Sequence, residues 1–267
     1  MTVVDRNLKV KVLVLGDSGV GKSSFTHLLC HETSCKNPAY TIGCNVEIKL
    51  HDYKQGTPEE RTCCVEVWDI GASKSHTSSR FIFYNNVNGI ILVHDLTNLK
   101  SLQNLPRWLD DVLNQEPSGG LSSVKVASST NSFPMNQADD IPVTHSIPIF
   151  MIGTKLDLIA EGSRTPIVLR SKTFSVEFGC GEIHLESAEP KYIAAGSGNA
   201  VKLSRFFDKV VEHAIQRQNT TSIVQSPIVD RRGSFGSPAD RKTGAERRRP
   251  NTSQFNRLIS FKNAHQD

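Results

Sequence analysis

Val10-Lys11-Val12-Leu13-Val14-Leu15 runs directly into Gly16-Asp17-Ser18-Gly19-Val20-Gly21-Lys22-Ser23, and this junction decides the fold. Apart from Lys11, the first six residues are apolar and rich in β-branched side chains, as a buried parallel strand requires. The next eight fit G-x-x-x-x-G-K-[ST], a phosphate-binding loop, and Lys22 to Cys30 then reads as a helix. Strand, glycine loop and helix occur in the order this chemistry needs. Glycines let backbone N–H groups wrap a polyphosphate, and the helix start adds the positive end of its dipole. Lys22 is expected on the β- and γ-phosphates, with the Ser23 hydroxyl on the magnesium that bridges them.

Outward from this junction, Cys44 to His51 and Thr62 to Trp68 read as strands, joined through the turn residues Lys54-Gln55-Gly56-Thr57-Pro58 into an antiparallel hairpin. Gly89 to His94 and Ile147 to Ile152 repeat the buried-strand pattern. Helices are expected at Leu99 to Leu113, near Val168 to Phe178, and at Asn199 to Arg217, where Val201, Leu203, Phe206, Phe207, Val210, Val211 and Ile215 recur at helical spacing. Alternating strands and helices imply a doubly wound α/β sheet. Residues 115–146 are rich in Ser, Gly, Pro and Asn without a period, and read as a flexible surface insertion. The expected organisation is a domain over residues 1–216 and a disordered basic tail over 217–267.

The 267 residues carry 31 basic and 27 acidic side chains, so the net charge of +4 is small. Its excess lies in the tail, where Arg231 to Arg249 reads RRGSFGSPADRKTGAERRR. That tail reads as solvated; Arg231-Arg232-Gly233-Ser234 also suits a basic-directed kinase, and Arg247 to Arg249 a route to nuclear entry. Nucleic acid is not the expected partner. Cys30, Cys35, Cys44, Cys63, Cys64 and Cys180 lack C-x-x-C spacing and read as reduced thiols. No secretory leader or 18-residue apolar run is present, so a cytoplasmic protein is expected.

Thr154-Lys155-Leu156-Asp157 follows the strand that ends at Gly153 and resembles the N/T-K-x-D element of guanine-nucleotide binders. The Asp157 carboxylate can accept from both N1–H and the exocyclic amine of guanine, a donor pair that adenine lacks, while Lys155 flanks the base. Together with Thr41-Ile42-Gly43, Trp68-Asp69 and Ser187-Ala188, these motifs follow the order and spacing of small GTPases of the Ras superfamily. The chain resembles the Rab branch, through long strings that include HDYKQGTPEE, NGIILVHDLTN and AAGSGNAVKLSRFFDKV, between about Lys9 and Val211.

The resemblance implies a P-loop NTPase fold, the small GTPase G domain: a mostly parallel six-stranded sheet with one antiparallel edge strand and helices on both faces. It implies GTP or GDP and Mg2+ as cofactors. The implied nucleotide-binding residues are Gly16, Ser18, Gly19, Val20, Gly21, Lys22, Ser23, Ser24, Thr41, Ala72, Thr154, Lys155, Asp157, Glu186, Ser187 and Ala188. Ser23 and Thr41 would ligate the metal and Asp69 would hold it through a water. Effector or regulator proteins of Ras-family or Rab signalling are the implied partners, with a homodimer as a further one.

The chain departs from the Rab pattern in two places. Where T-A-G-Q follows the strand aspartate in Rab proteins, Ile70-Gly71-Ala72-Ser73 follows Asp69 here. Ser73 is too short to orient an attacking water as glutamine does, and the Ala72 Cβ is expected to restrict the backbone beside the γ-phosphate. No cysteine follows Cys180, so neither a C-terminal prenyl group nor a stable membrane anchor is expected. The expected function is a GTP-binding regulator in intracellular signalling or trafficking, with weak or partner-dependent hydrolysis. The alternative is a non-enzymatic homodimeric scaffold holding GTP as a structural cofactor.

Overall fold

A computed structural model of the chain describes residues 4–35, 37–113 and 147–224, without the side chains of 4–7, 74–77 and 220–224. The expected 115–146 insertion and the tail beyond 224 lie outside the described residues.

Six strands form one sheet in the order β2-β3-β1-β4-β5-β6. They are β1 Val4–Leu15, β2 Cys44–Tyr53, β3 Arg61–Ile70, β4 Gly89–Asp95, β5 Ile149–Thr154 and β6 Gly181–His184. The edge strand β2 pairs antiparallel with β3, and the other pairings are parallel. Helices α1 Lys22–His31, α2 Leu99–Gln103, α3 Leu105–Leu113, α4 Glu161–Glu177 and α5 Gly198–Val224 complete the domain.

Strand period divides the core in two. Val10, Val12 and Val14 point to one face, where Phe25 and Leu29 of α1 and Phe206, Phe207 and Val210 of α5 cover them. Leu13 and Leu15 point to the other, with Ile90, Leu92, Trp108, Leu109 and Met151. Val12 through Leu15 are all fully buried, which is why β1 reads as a continuous apolar run rather than an alternating one. As the central strand, β1 delivers its carboxyl end to the point where the sheet order reverses, the usual crevice for a ligand in an open α/β sheet.

Several elements differ from the sequence reading, with β1 starting at Val4 rather than Val10 and α4 at Glu161 rather than near Val168. The helix expected over Leu99 to Leu113 is split at Asn104, because Pro106 has no N–H to continue the ladder and its ring opposes the carbonyl four residues back. In the first turn of α3 the same proline is tolerated. The last helix continues to Val224, past the expected end at Arg217. The sixth strand, β6, lies in a stretch assigned to no element from the sequence; it has four residues, of which Ile183 alone is buried.

Candidate functional site

After Leu15 the chain turns sharply, with Gly16, Gly19 and Gly21 at φ 148, 75 and 95°. A Cβ on Gly16 would lie 2.1 Å from the Val93 carbonyl oxygen, so the loop starts too close to β4 for any side chain. Gly21 caps α1 without a side-chain hydrogen bond, which keeps the first N–H groups of the helix available to an anion. The buried Thr154 hydroxyl lies 2.5 Å from the Val20 carbonyl and 3.0 Å from that of His94. The T-K-x-D segment therefore buttresses the phosphate loop directly.

Lys22 is buried, and its ammonium donates to the carbonyls of Gly16 (2.9 Å) and Asp17 (2.8 Å). Burial lowers its pKa to about 8, against the opposing pull of the Asp69 and Asp17 carboxylates. A cation held in this partly desolvated position gains most when an anion enters beside it.

Ser23, Thr41 and Asp69 come from α1, the segment before β2, and the end of β3. Ser23 Oγ donates to Asp69 Oδ2 at 2.6 Å, Thr41 Oγ1 donates to the same oxygen at 2.9 Å, and the two hydroxyls are 2.9 Å apart. Asp69 is fully buried and its Oδ1 has no hydrogen-bond partner. An all-oxygen cluster with an unsatisfied buried carboxylate oxygen suits a hard cation such as Mg2+. The sequence-predicted metal residues are thus brought together.

A hollow of about 280 Å3 joins these parts, lined by Ser18, Gly19, Gly21, Lys22, Ser23, Ser24, Thr41, Ala72 and Lys155 from the predicted set, and by Pro38, Ala39, Tyr40 and Gly71. Two larger hollows of about 670 Å3 lie elsewhere, one beside Lys9 and Asn88 and one between β5, α4 and α5. Neither is lined by a predicted nucleotide- or metal-binding residue.

On the base side, Lys155 has φ 60° and its ammonium bonds Asp95 Oδ2 at 2.6 Å. Burial raises the Asp95 pKa, but the bonds from Lys155 and Thr97 outweigh this and leave it lowered. Asp157 is exposed. Glu186 is near enough that burial, then the Asp157 charge, then Glu189 raise its pKa. The Ser187 hydroxyl is buried without a partner, while Ala188 is exposed. The Leu156 amide donates to the Leu185 carbonyl at 3.3 Å, tying the two base-side segments together.

The segment after β3 adds residues that motif spacing missed. Ala72 is not among the residues with positive φ, so its Cβ imposes no strain on this backbone. Gly71 is the position that tolerates no side chain: a Cβ would lie 2.6 Å from the Thr41 carbonyl and 3.0 Å from that of Gly43. The buried Arg80 donates to the carbonyls of Ser73 (2.9 Å) and Ala72 (3.4 Å), and its guanidinium stacks 4.5 Å from the Trp108 ring. Trp108 Nε1 in turn donates to Asp17 Oδ1 at 2.8 Å, and Asn104 Nδ2 to Asp17 Oδ2 at 2.6 Å. Asp17 lay inside the recognised loop, yet nothing in the sequence named its partners.

A glycine-rich strand-to-helix loop, a buried Ser-Thr-Asp oxygen cluster and a buttressing T-K-x-D segment at the sheet's switch point define a P-loop nucleotide-binding domain of the small GTPase class. A sequence model of the Roc family (Ras of Complex, Roc, domain of DAPkinase) matches residues 11–127. Rab-like protein 3 of Bos taurus is 51% identical over 208 residues, 76% of this chain and 85% of that protein. Rab-like protein 3 of Homo sapiens is 50% identical over the same shares. A small GTPase-like protein of Arabidopsis thaliana is 33% identical over 162 residues, 58% of this chain and 44% of that protein. The chain belongs to the Rab-like protein 3 family of Ras-superfamily small GTPases. Among the described residues, no helix is long and apolar enough to cross a membrane.

Proposed function

We propose that this protein binds guanine nucleotide with Mg2+ and acts as a regulator whose protein contacts depend on the bound nucleotide, with slow intrinsic hydrolysis. The observation that carries this reading is the convergence of Ser23, Thr41 and Asp69 beside the phosphate loop within hydrogen-bond distance of one another. Ser23 and Thr41 would hold the metal and Asp69 a water on it. The metal supplies charge neutralisation across the phosphates. Lys22 and the first N–H groups of α1 bind the phosphates, and Asp157 selects guanine.

Slow hydrolysis follows from Ser73, whose side chain cannot reach where a glutamine would orient water. Partner contact is supported by exposed apolar residues flanking Thr41: Tyr40, Ile42, then Val46, Ile48 and Leu50 along the outward side of β2. A segment that ligates the metal through Thr41 and continues into such a stripe couples nucleotide state to surface.

Gently purified protein should release a guanine nucleotide on denaturation, identified by chromatography, and single-turnover measurement should give slow conversion of GTP to GDP. Retained GTP with no turnover would favour the scaffold that holds GTP as a structural cofactor. Release of adenine nucleotide, or no nucleotide binding with Mg2+ present, would refute the proposal.

A further inference from the structure

On the side of α1 away from the phosphate hollow, the last turn of the helix and the start of β2 bring two imidazoles and a carboxylate together. His27 and His31 are four residues apart, so both leave the same face of α1. Glu47 faces inward on β2, between the exposed Val46 and Ile48. One ligand atom from each of the three side chains lies within 4.8 Å of the others. His31 Nε2 is 3.0 Å from Glu47 Oε2, and the two imidazole centroids are 4.6 Å apart.

Two further observations favour a cation at this point. Glu47 Oε2 is buried and makes no hydrogen bond of acceptable geometry, despite its closeness to His31. The cluster also lies at the carbonyl end of α1, the negative end of the helix dipole. The ammonium of Lys49, two residues further along β2, donates to the Leu29 carbonyl at 3.2 Å. His27 Nε2 has a long contact of 3.4 Å with the Thr33 hydroxyl, weak enough to be exchanged for a metal.

We propose that His27, His31 and Glu47 form a site for a divalent transition metal of zinc's class, separate from the magnesium position, with a fourth ligand from water. Zinc in tetrahedral geometry holds its ligand atoms at about 2.0–2.2 Å and hence roughly 3.4 Å from each other. The three ligand atoms, now within 4.8 Å of one another, would have to draw closer together to reach that arrangement. Two nitrogens and one oxygen select against Mg2+, which requires oxygen ligands. Such a metal would clamp α1 to β2 on either side of the segment that carries Thr41.

The test uses the full chain in excess Mg2+, titrated with Zn2+ alone in competition with a chromophoric zinc chelator. One equivalent is expected in the wild type, absent from His27→Gln/His31→Gln and bound roughly tenfold or more weakly by Glu47→Gln. Co2+ in place of Zn2+ should give the visible absorption of a four-coordinate site, lost in the same double variant. Both histidines are partly exposed, so an unchanged melting temperature without zinc certifies that the double variant is folded. Equal zinc uptake by wild type and double variant overturns the proposal, as does no uptake by the wild type. Neither result depends on which nucleotide the protein binds.

Discussion

Gly71→Ala perturbs the junction between the two segments that meet over the metal position. Its new Cβ would lie 2.6 Å from the Thr41 carbonyl oxygen, where ordinary contact begins at 3.4 Å, so that backbone must retreat by about 0.8 Å. The Thr41 hydroxyl now bonds Asp69 at 2.9 Å. A retreat of that size stretches the bond to about 3.7 Å, beyond hydrogen-bond reach. Losing a hydrogen bond to a charged group costs about 1.5–3 kcal/mol, and the same displacement removes Thr41 from the metal. At about 1.4 kcal/mol per decade, the Mg2+ needed to retain nucleotide should rise by roughly 10- to 100-fold. Dissociation of a fluorescent guanine nucleotide, measured across Mg2+ concentrations, reads this directly, with Thr41→Ala as the reference for complete loss of the hydroxyl. If Thr41→Ala shifts the Mg2+ dependence while Gly71→Ala melts and releases nucleotide as wild type does, the steric reasoning is wrong.

Lys22, with its pKa lowered to about 8 by burial, must take up a proton to serve the phosphates above that pH, so GTP should bind roughly tenfold more weakly at pH 9 than at pH 7. Calorimetry at the two pH values checks this, and a flat profile would refute it. His94 is buried with its pKa lowered from 6.5 to about 4, so the unfolded chain binds the proton first and stability falls as pH drops from about 6.5 toward 4. Thermal melts should show about 2 kcal/mol lost by pH 5, and His94→Leu should flatten the slope; an unchanged slope in that variant would refute the assignment. Asp157→Asn should reduce the preference for guanine over other bases by at least roughly tenfold in competition binding, through loss of a charged acceptor pair. Ser73→Gln with Ala72→Gly should raise single-turnover hydrolysis if the segment follows the usual path; an unchanged rate would assign the defect to its backbone.

What could be read from the sequence was what depends on local spacing. The phosphate loop announces itself because glycine positions, lysine and hydroxyl are fixed relative to one another over eight residues. The apolar runs of β1, β4 and β5 stand out because these strands are covered on both faces. Long-range polar partners leave no such trace: Trp108 is 91 residues from Asp17 and Asn104 is 87 away, so the contacts gripping the loop emerge only from the fold. The apolar period from Leu99 to Leu113 concealed the break imposed by Pro106. The polar run Gln216-Arg217-Gln218-Asn219 gave no reason to continue α5, and β6 was too short to show a period. Motif alignment directed attention to Ala72, whereas close backbone approach falls on its neighbour Gly71, a distinction only three-dimensional contact makes.

The same contacts bear on why a site built to hold nucleotide would turn it over slowly. The groups proposed to bind phosphate, metal and base lie on or next to β1, α1, β2, β3 and β5, with Thr154 joining the last of these to the phosphate loop. The segment that would supply the water-orienting group starts at Gly71, and its carbonyls at Ala72 and Ser73 are held by Arg80. Arg80 is stacked on Trp108, and Trp108 is bonded to Asp17 of the phosphate loop itself. Movement of the hydrolytic segment would therefore break a buried cation–π contact and two charge-assisted hydrogen bonds, while leaving the binding groups in place. Restoring a glutamine alone adds the missing reach but does not release this grip. On this reasoning the double substitution at 72 and 73 should gain further from Trp108→Phe, which keeps an aromatic face and deletes the bond to Asp17; a gain in turnover without loss of nucleotide affinity would locate the restraint in that chain of contacts.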